Sequence, residues 1–598
     1  MSEPLSAIAS ARELVRVLCS GGVYDVVLCP GSRSAPLAYA LADAEAAGLM
    51  RLHVRIDERA AGFTALGFAL GAQRPVGVVT TSGTAVGELL PAVMEANHAA
   101  VPLVVLSADR PAELRGTGAN QTTHQPGIFG VHVRFAVDIP AGTCPADSAR
   151  HALSSARGYG TITDETNNHL AKNAAPHPPG PVHLNIAFRD PLVPASRPAI
   201  ESVAKAGAEY EADRATRRDA ELVRPAGTPA SAGSPAHQGS GSHTVVVAGH
   251  DATALAAVFA AHLDLPLFAE PSSNARFGSS AIAPYRLLLD LLGRQITKVV
   301  VFGRPTLSRP VAALLSRADV EHVLYVPKPV AWFEPGRRRE RIISTLAELL
   351  DFAGRGATRW LPAWRHAGAL AEAAIQDLLA SEPGLTGLAV ADMVWEHTDG
   401  NLVVGSSNPI RDLDLIAATD WHPLEVYANR GLAGIDGTLA TATGIALASG
   451  VPTRLLVGDL TFLHDVGGMF LGSGEPEPDL QVVVLNDGGG GIFGLLEHGA
   501  QETLARYPDA VERLFGTPHA VDLSALAAAY GVRFERVDTL EDLERTLDAP
   551  VSGRSIVEVR ASRPGLRDLH ARIATAARRA VAGCELDAVG VAPAASSG

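Results

Sequence analysis

The sequence predicts an α/β protein made of three doubly wound parallel-sheet domains, and three observations carry that prediction. Short β-branched runs alternate with apolar stretches at helical spacing, the rhythm of parallel sheets covered by helices. The strand-like runs end in turns rich in Gly, Pro, Ser or Asp, which punctuate strand-to-helix passages. The chain has 598 residues, 47% of them hydrophobic and 19% charged, a globular composition on a length that exceeds one hydrophobic core.

From Val23, VYDVVLCPGSRSAPLAYALADA reads as strand, loop and helix. HVRIDERAAGFTALGFALG, PVGVVTTSGTAVGELLPAVMEA and VPLVVLSADRP repeat the pattern and complete a first domain over residues 1–194. Residues 195–242 shift to Ala, Pro, Gly and Ser, and the stretch TPASAGSPAHQGSGSH has no apolar period. It reads as a flexible linker. HTVVVAGHDA and KVVVFGRPTLSRPV place a central α/β domain at 243–355. An Arg- and Ala-rich helical segment near 355–380 opens the third domain, 356–582, whose strand–loop units begin near Leu388. Residues 583–598 read as a frayed tail. No sequence repeat is evident beyond the shared strand–helix rhythm. In such sheets the loops at the carboxyl ends of the strands build the site.

Lys and Arg total 50 against 64 Asp and Glu, a net charge of −14, which argues against a nucleic-acid partner. Cys19, Cys29, Cys144 and Cys584 have no C-x-x-C spacing, as expected in a reducing compartment. The first residues, MSEPLSAIASARELV, lack a secretory pattern. No run reaches the roughly 18–20 apolar residues of a membrane helix. A cytoplasmic protein is expected.

Two strands end in acidic turns, RLLVGDLTFLHD and VVVLNDGGGGIF. Turns of this kind on neighbouring parallel strands gather hard oxygen ligands. Mg²⁺ takes such ligands and commonly bridges to phosphate, so Asp459 and Asp487, with the backbone carbonyl of Gly489, are candidates to hold a metal diphosphate. The Gly488–Gly491 run lets backbone approach a ligand closely. An Asp at a strand end is also an ordinary turn or cap residue. Upstream, Glu58 in IDERAAGFTALGFALG follows a strand and opens a helix of small residues, a position that the helix dipole alone also favours. The histidines, His464 beside Asp465 included, have no zinc-site spacing.

The Gly-Asp turn, followed 27 or 28 residues later by an Asn-Asp turn, resembles the metal-diphosphate motif of thiamine-diphosphate enzymes, GDG with a later NN. The sequence departs from it twice, with Leu460 in the third place and Asp487 at the second Asn. Aligning GGGIF favours Asp487 as the ligand, whereas spacing from Asp459 favours Asn486. The resemblance implies thiamine diphosphate with Mg²⁺ or Mn²⁺, and makes Glu58 the catalytic carboxylate that hydrogen-bonds the aminopyrimidine ring. It also implies active sites between subunits, in a homodimer or homotetramer.

Within that family, PGSRSAPL (30–37), SADRP (107–111), GANQTTHQPGIF (118–129), GPVHLNIAFRDPL (180–192), NRGLAGIDGTLATATG (429–444) and GDLTFLHD (458–465) closely resemble the carboligases of menaquinone biosynthesis. These decarboxylate 2-oxoglutarate and add the succinyl carbanion in a 1,4 sense to isochorismate. Both reactants are polyanions, which arginine recognises bidentately. By resemblance Arg411 and Arg430 grip the distal carboxylate of 2-oxoglutarate. Arg33, Arg110 and Arg309, with Ser32, Asn120 and Gln121, face isochorismate. Arg304 competes with Arg309 for its role. Ser406, Ser407 and Asn408 donate to the diphosphate, Ile435 props the cofactor rings, and Leu460, Ile492 and Phe493 lie against the cofactor. The resemblance covers both outer domains and is thin in the central one. Two other readings are another thiamine-diphosphate-dependent decarboxylase or carboligase acting on a 2-keto acid, and a non-catalytic homologue.

Overall fold

The computed structural model describes residues 4–159, 176–198, 241–334 and 336–582. Apart from its ends, the expected linker at 195–242 lies outside the described residues, as does the expected tail at 583–598.

Three parallel sheets form the molecule. The first contains β1 (Asp25–Leu28), β2 (Arg51–Val54), β3 (Val76–Thr80), β4 (Leu103–Asp109), β5 (Phe135–Ile139) and β6 (Val182–Ala187), in the order β2-β1-β3-β4-β6-β5. The central sheet contains β7 (Thr244–Ala248), β8 (Leu267–Ala269), β9 (Lys298–Phe302), β10 (Glu321–Tyr325) and β11 (Arg341–Ile343), in the order β11-β10-β9-β7-β8. The third contains β12 (Asn401–Val404), β13 (Glu425–Tyr427), β14 (Thr453–Gly458), β15 (Leu480–Asn486), β16 (Arg533–Val537) and β17 (Arg554–Arg560), in the order β13-β12-β14-β15-β17-β16. The first and third sheets therefore share one topology, a repeat that the sequence did not reveal.

Each sheet has a hydrophobic core on both faces, because successive strand residues point to opposite sides. In the first sheet Val26, Val104, Leu106 and Leu184 fill one face, and Val27, Val78, Leu103 and Val105 the other. The central and third sheets divide in the same way. Strands buried on both faces read as continuous apolar runs, which is why they were visible in the sequence.

The helix Trp360–Ala380 serves two domains. Trp360, Trp364, Ala367 and Ala371 bury against the central sheet, while Ile375 and Leu379 bury in the core of the third. The expected boundary at 355/356 thus precedes a shared helix. The last described helix, Leu566–Ala582, does the same, with Leu569 and Ile573 in the third core and Ala577 and Val581 in the central one.

The outer domains meet through equivalent elements. The helix Glu58–Ala72 follows β2, and the helix Thr438–Ser449 follows β13. They pack closely along their length because Gly67, Gly71 and Gly444 leave no Cβ between them. Among the described residues no helix is long and apolar enough to cross a membrane.

Candidate active site

Glu58 is the first residue of its helix, and Asp57 caps it by accepting from the Ala60 N–H at 3.1 Å. Desolvation raises the Glu58 carboxyl above its ordinary range; Asp57 and Glu88 push the same way, and the helix-start backbone N–H opposes them. The neighbouring Arg59 reaches into the third domain, donating to the His464 carbonyl at 3.0 Å and to Asp465 Oδ1 at 3.4 Å.

Asp459 follows β14 and is 2% exposed. Its Oδ1 accepts from the Leu460 N–H at 2.6 Å; its Oδ2 accepts from the Gly489 N–H at 2.8 Å and lies 3.1 Å from His519 Nε2. Asp487, one residue beyond β15, is pushed up to about 7, first by burial and then by the charge of Asp459. Asn486 is turned elsewhere. Its Nδ2 donates to Glu558 Oε1 at 2.6 Å and its Oδ1 accepts from the Gly488 N–H at 3.1 Å. The Asp459 and Asp487 carboxylates thus lie near one another, both beside the Gly489 N–H. Gly489 has φ +150°, and a Cβ there would stand 2.1 Å from the Gly516 carbonyl, so no side chain fits.

Ser406, Ser407 and Asn408 form the passage from β12 into the helix Asn408–Ile416. Ser407 holds φ 85°, ψ −138°, a region that L-residues avoid; Gly83, after β3, has nearly the same conformation at φ 87°, ψ −137°. Ser406 Oγ and Asn408 Oδ1 are buried with no hydrogen-bond partner among the described residues. Buried polar atoms without partners are costly, and a helix N-terminus suits an anion. The Ser406 hydroxyl and the helix N-terminus here, the glycine cradle and the neighbouring carboxylates together fit a metal-bound diphosphate. Ile492 and Phe493 open the short helix Ile492–Leu495 directly after the glycines, with the Phe493 ring 5.4 Å from Phe515. Ile435 is half-buried in the loop preceding Thr438. That loop borders a cleft of about 200 Å³ between the outer domains, lined by Phe63, Leu90, Met94 and Asn429 among others.

The arginines fall into two groups. At the ends of β1 and β4, Arg33 donates to the Phe188 carbonyl at 2.9 Å, and Arg110 donates to Ser82 Oγ and the Gln121 carbonyl, both at 2.5 Å. Desolvation and then the charge of Arg33 lower the Arg110 pKa. Gln121 returns a bond from Nε2 to the Ser82 carbonyl at 2.8 Å. Ser32 and Asn120 are exposed beside them.

The second group lies where the central and third domains meet. Arg411 donates to the Ser407 carbonyl at 2.6 Å, and Arg430 donates to Thr306 Oγ1 at 2.6 Å. Burial lowers the pKa of both, and Arg411 acts as a like charge on Arg430. Arg304 joins this group by donating to the Gly431 carbonyl at 2.7 Å. Arg309 does not join either; it is 73% exposed and pairs with the equally exposed Glu497 at 2.8 Å.

Two buried carboxylates escaped the sequence reading. Glu95 accepts from the N–H groups of Gly431 and Leu432 at 2.6 and 2.7 Å, fixing the loop that carries Arg430 and Ile435. Glu270 accepts from those of Thr306 and Leu307 at 2.7 and 2.8 Å. The one available signal was a lone acid in an apolar setting, as in LPAVMEANH.

Comparison with known proteins agrees with this geometry. Residues 9–128 match the thiamine pyrophosphate enzyme, N-terminal TPP binding domain, and residues 416–559 match the corresponding C-terminal TPP binding domain. The two matches fall on the two sheets of shared topology, and define a thiamine-diphosphate-dependent α/β enzyme. A 2-succinyl-5-enolpyruvyl-6-hydroxy-3-cyclohexene-1-carboxylate synthase of Paenarthrobacter aurescens (strain TC1) is 57% identical, covering 97% of this chain and 98% of the relative. One of Arthrobacter sp. (strain FB24) is 56% identical over 96% and 92%, and one of Mycobacterium tuberculosis (strain F11) is 43% identical over 95% and 99%. The chain belongs to the 2-succinyl-5-enolpyruvyl-6-hydroxy-3-cyclohexene-1-carboxylate synthase family.

Proposed function

We propose that the protein decarboxylates 2-oxoglutarate and adds the resulting succinyl unit to isochorismate, releasing CO₂ and forming 2-succinyl-5-enolpyruvyl-6-hydroxy-3-cyclohexene-1-carboxylate for menaquinone biosynthesis. The observation that carries this reading is the sorting of the arginines into two groups, Arg411 with Arg430 and Arg33 with Arg110, with Arg110 and Arg430 each desolvated beside the like charge of its neighbour. Guanidinium pairs of that kind suit two separate anionic reactants.

Bound thiamine diphosphate supplies a nucleophilic carbon and an electron sink for decarboxylation. Mg²⁺ or Mn²⁺ would be held by Asp459, Asp487 and the Gly489 carbonyl, and the diphosphate by Ser406, Ser407 and Asn408. Asp487 is preferred to Asn486 because the Asn486 side chain is engaged at both ends, its Nδ2 by Glu558 and its Oδ1 by the Gly488 N–H. Ile435, Leu460, Ile492 and Phe493 provide apolar packing for the cofactor and exclude water. Glu58, with its raised pKa, exchanges a proton with the aminopyrimidine ring. Arg411 and Arg430 orient the keto acid by its distal carboxylate; Arg33, Arg110, Ser32, Asn120 and Gln121 orient isochorismate. Arg309 would have to leave Glu497 to join them, and Arg304 stands nearer to the Arg430 loop.

The site is proposed to be completed by a second copy of the chain. This follows the family resemblance, which implies active sites between subunits.

The test is incubation of the protein with thiamine diphosphate, Mg²⁺ and 2-oxoglutarate, with and without isochorismate, following CO₂ release and adduct mass. An isochorismate-dependent adduct that Glu58→Gln abolishes supports the reading. Decarboxylation of a different keto acid with no adduct would replace it with another activity of the thiamine-diphosphate class.

A further inference from the structure

Behind Arg430 lies a chain of contacts supplied by the central domain. Glu270 follows β8 directly and is 2% exposed. Its Oε1 accepts both the Thr306 and the Leu307 N–H groups, at 2.7 and 2.8 Å, and so fixes the loop between β9 and the helix Arg309–Ser316. The Thr306 hydroxyl on that loop accepts from Arg430 Nη2 at 2.6 Å. From the same loop Arg304 Nη1 holds the Gly431 carbonyl at 2.7 Å. Arg430 is 4% exposed, and its Nε, like Glu270 Oε2, has no hydrogen-bond partner among the described residues. One end of the guanidinium is therefore anchored, while Nε retains an unused donor inside a buried cluster that also contains Arg411.

We infer that Glu270 and Thr306 are positioning residues that hold Arg430 at the angle needed to receive a distal carboxylate, so that the central domain sets the keto-acid preference without touching the substrate. This rests on the reading of Arg411 and Arg430 as the clamp for 2-oxoglutarate. A guanidinium recognises a carboxylate through a planar fork whose angle matters. Arg430 with Thr306 removed keeps its charge and loses that angle. Glu270 acts one step further back, through the backbone of the loop, and its burial, with the charge of Asp414 adding to it, keeps its carboxyl high, at about 8. In that neutral form it accepts two amide hydrogens without placing a full negative charge beside Arg430.

The experiment uses the holoenzyme with thiamine diphosphate and Mg²⁺, and compares Thr306→Val, Thr306→Ser, Glu270→Leu and Arg430→Met. For each, KM and kcat are measured for 2-oxoglutarate and for isochorismate, with the kcat/KM preference for 2-oxoglutarate over 2-oxobutyrate, which lacks the distal carboxylate. Loss of a hydrogen bond to a charged group predicts an increase of about tenfold in the 2-oxoglutarate KM for Thr306→Val. The same loss lowers the preference over 2-oxobutyrate, leaves the isochorismate KM within about twofold, and is rescued by Thr306→Ser. Glu270→Leu follows Thr306→Val. Calorimetric titration of 2-oxoglutarate in a Glu58→Gln background shows the same weakening without turnover. If Thr306→Val retains the wild-type preference while Arg430→Met loses it, or if both KM values rise together, the positioning role is overturned. If Arg430→Met also retains it, the clamp reading itself fails and the inference falls with it.

Discussion

Gly67 and Gly444 meet reciprocally across the helix pair that joins the outer domains. A Cβ on Gly67 would lie 2.1 Å from the Thr441 carbonyl, and one on Gly444 would lie 2.2 Å from the Thr64 carbonyl. Each glycine thus abuts the backbone three residues before the other. Because the obstacle is main chain, it cannot swing aside, and Gly67→Ala or Gly444→Ala must part the helices. Overpacking of this kind costs about 1–3 kcal/mol or more. Gly71→Ala, whose nearest obstacles are at 3.0 Å, is expected to cost less. Urea unfolding of the three variants gives the order directly.

Replacing Asp459 or Asp487 with Ala is expected to abolish Mg²⁺-dependent binding of thiamine diphosphate. Asn486→Ala is expected to retain it and instead lower stability, because Glu558 loses its amide partner while Arg536 and Arg560 still pair with it. Titration of cofactor and metal against each variant distinguishes the two neighbours. Cofactor binding lost only in Asn486→Ala would reverse the assignment.

Glu270 makes stability depend on pH with a definite sign. Desolvation first, then the charge of Asp414, raise its pKa from 4.5 to about 8. Below 4.5 the carboxyl is protonated in both folded and unfolded chains and contributes nothing. Between 4.5 and 8 the folded chain binds the extra proton, so this group's contribution falls as pH rises, reaching its full cost above 8. Glu270→Gln keeps an acceptor oxygen and does not titrate. The melting-temperature difference, variant minus wild type, is expected to be more positive at pH 9 than at pH 5.

Arg309 and Arg304 separate by environment. The Arg309–Glu497 pair is exposed on both sides, and such pairs contribute about 0–1 kcal/mol, so Arg309→Ala is expected to change stability little. Arg304→Met removes the bond to the Gly431 carbonyl and is expected to raise the 2-oxoglutarate KM several-fold. Steady-state kinetics on both variants checks the contrast; a larger isochorismate effect from Arg309→Ala would restore Arg309 to the position the resemblance implied.

What could be read from the sequence was what is local. β4 and β15 are buried along almost their whole length, so their apolar runs announce strands, and Glu58 and Asp459 sit where a strand gives way to a helix. The orientations of Asn486 and Asp487 were hidden because adjacent residues at a strand end point to opposite faces, and the partners of Asn486, Glu558 on β17 and the Gly488 N–H, are contacts of the fold. Glu95 was invisible for another reason: its partners, the Gly431 and Leu432 amides, are 336 and 337 residues away. Arg304 lies in the loop after β9 and Arg309 opens the helix that follows it; the course of that loop is set by Gly303 at φ +63°, a conformation that no residue count reveals. The double service of the helix Trp360–Ala380 was likewise concealed, since its apolar face is continuous while the cores it enters are not.

The common strand order of the first and third sheets makes the contact between them a two-fold one drawn within a single polypeptide. In a symmetric homodimer one patch must serve both sides, so any change is made twice. Here the halves are free to diverge: nine residues before Gly67 stands Glu58, and nine before Gly444 stands Ile435. The architecture thus retains the fit of a self-matched surface while allowing a carboxylate on one side and an apolar side chain on the other, an asymmetry that a symmetric pair of identical patches could not encode.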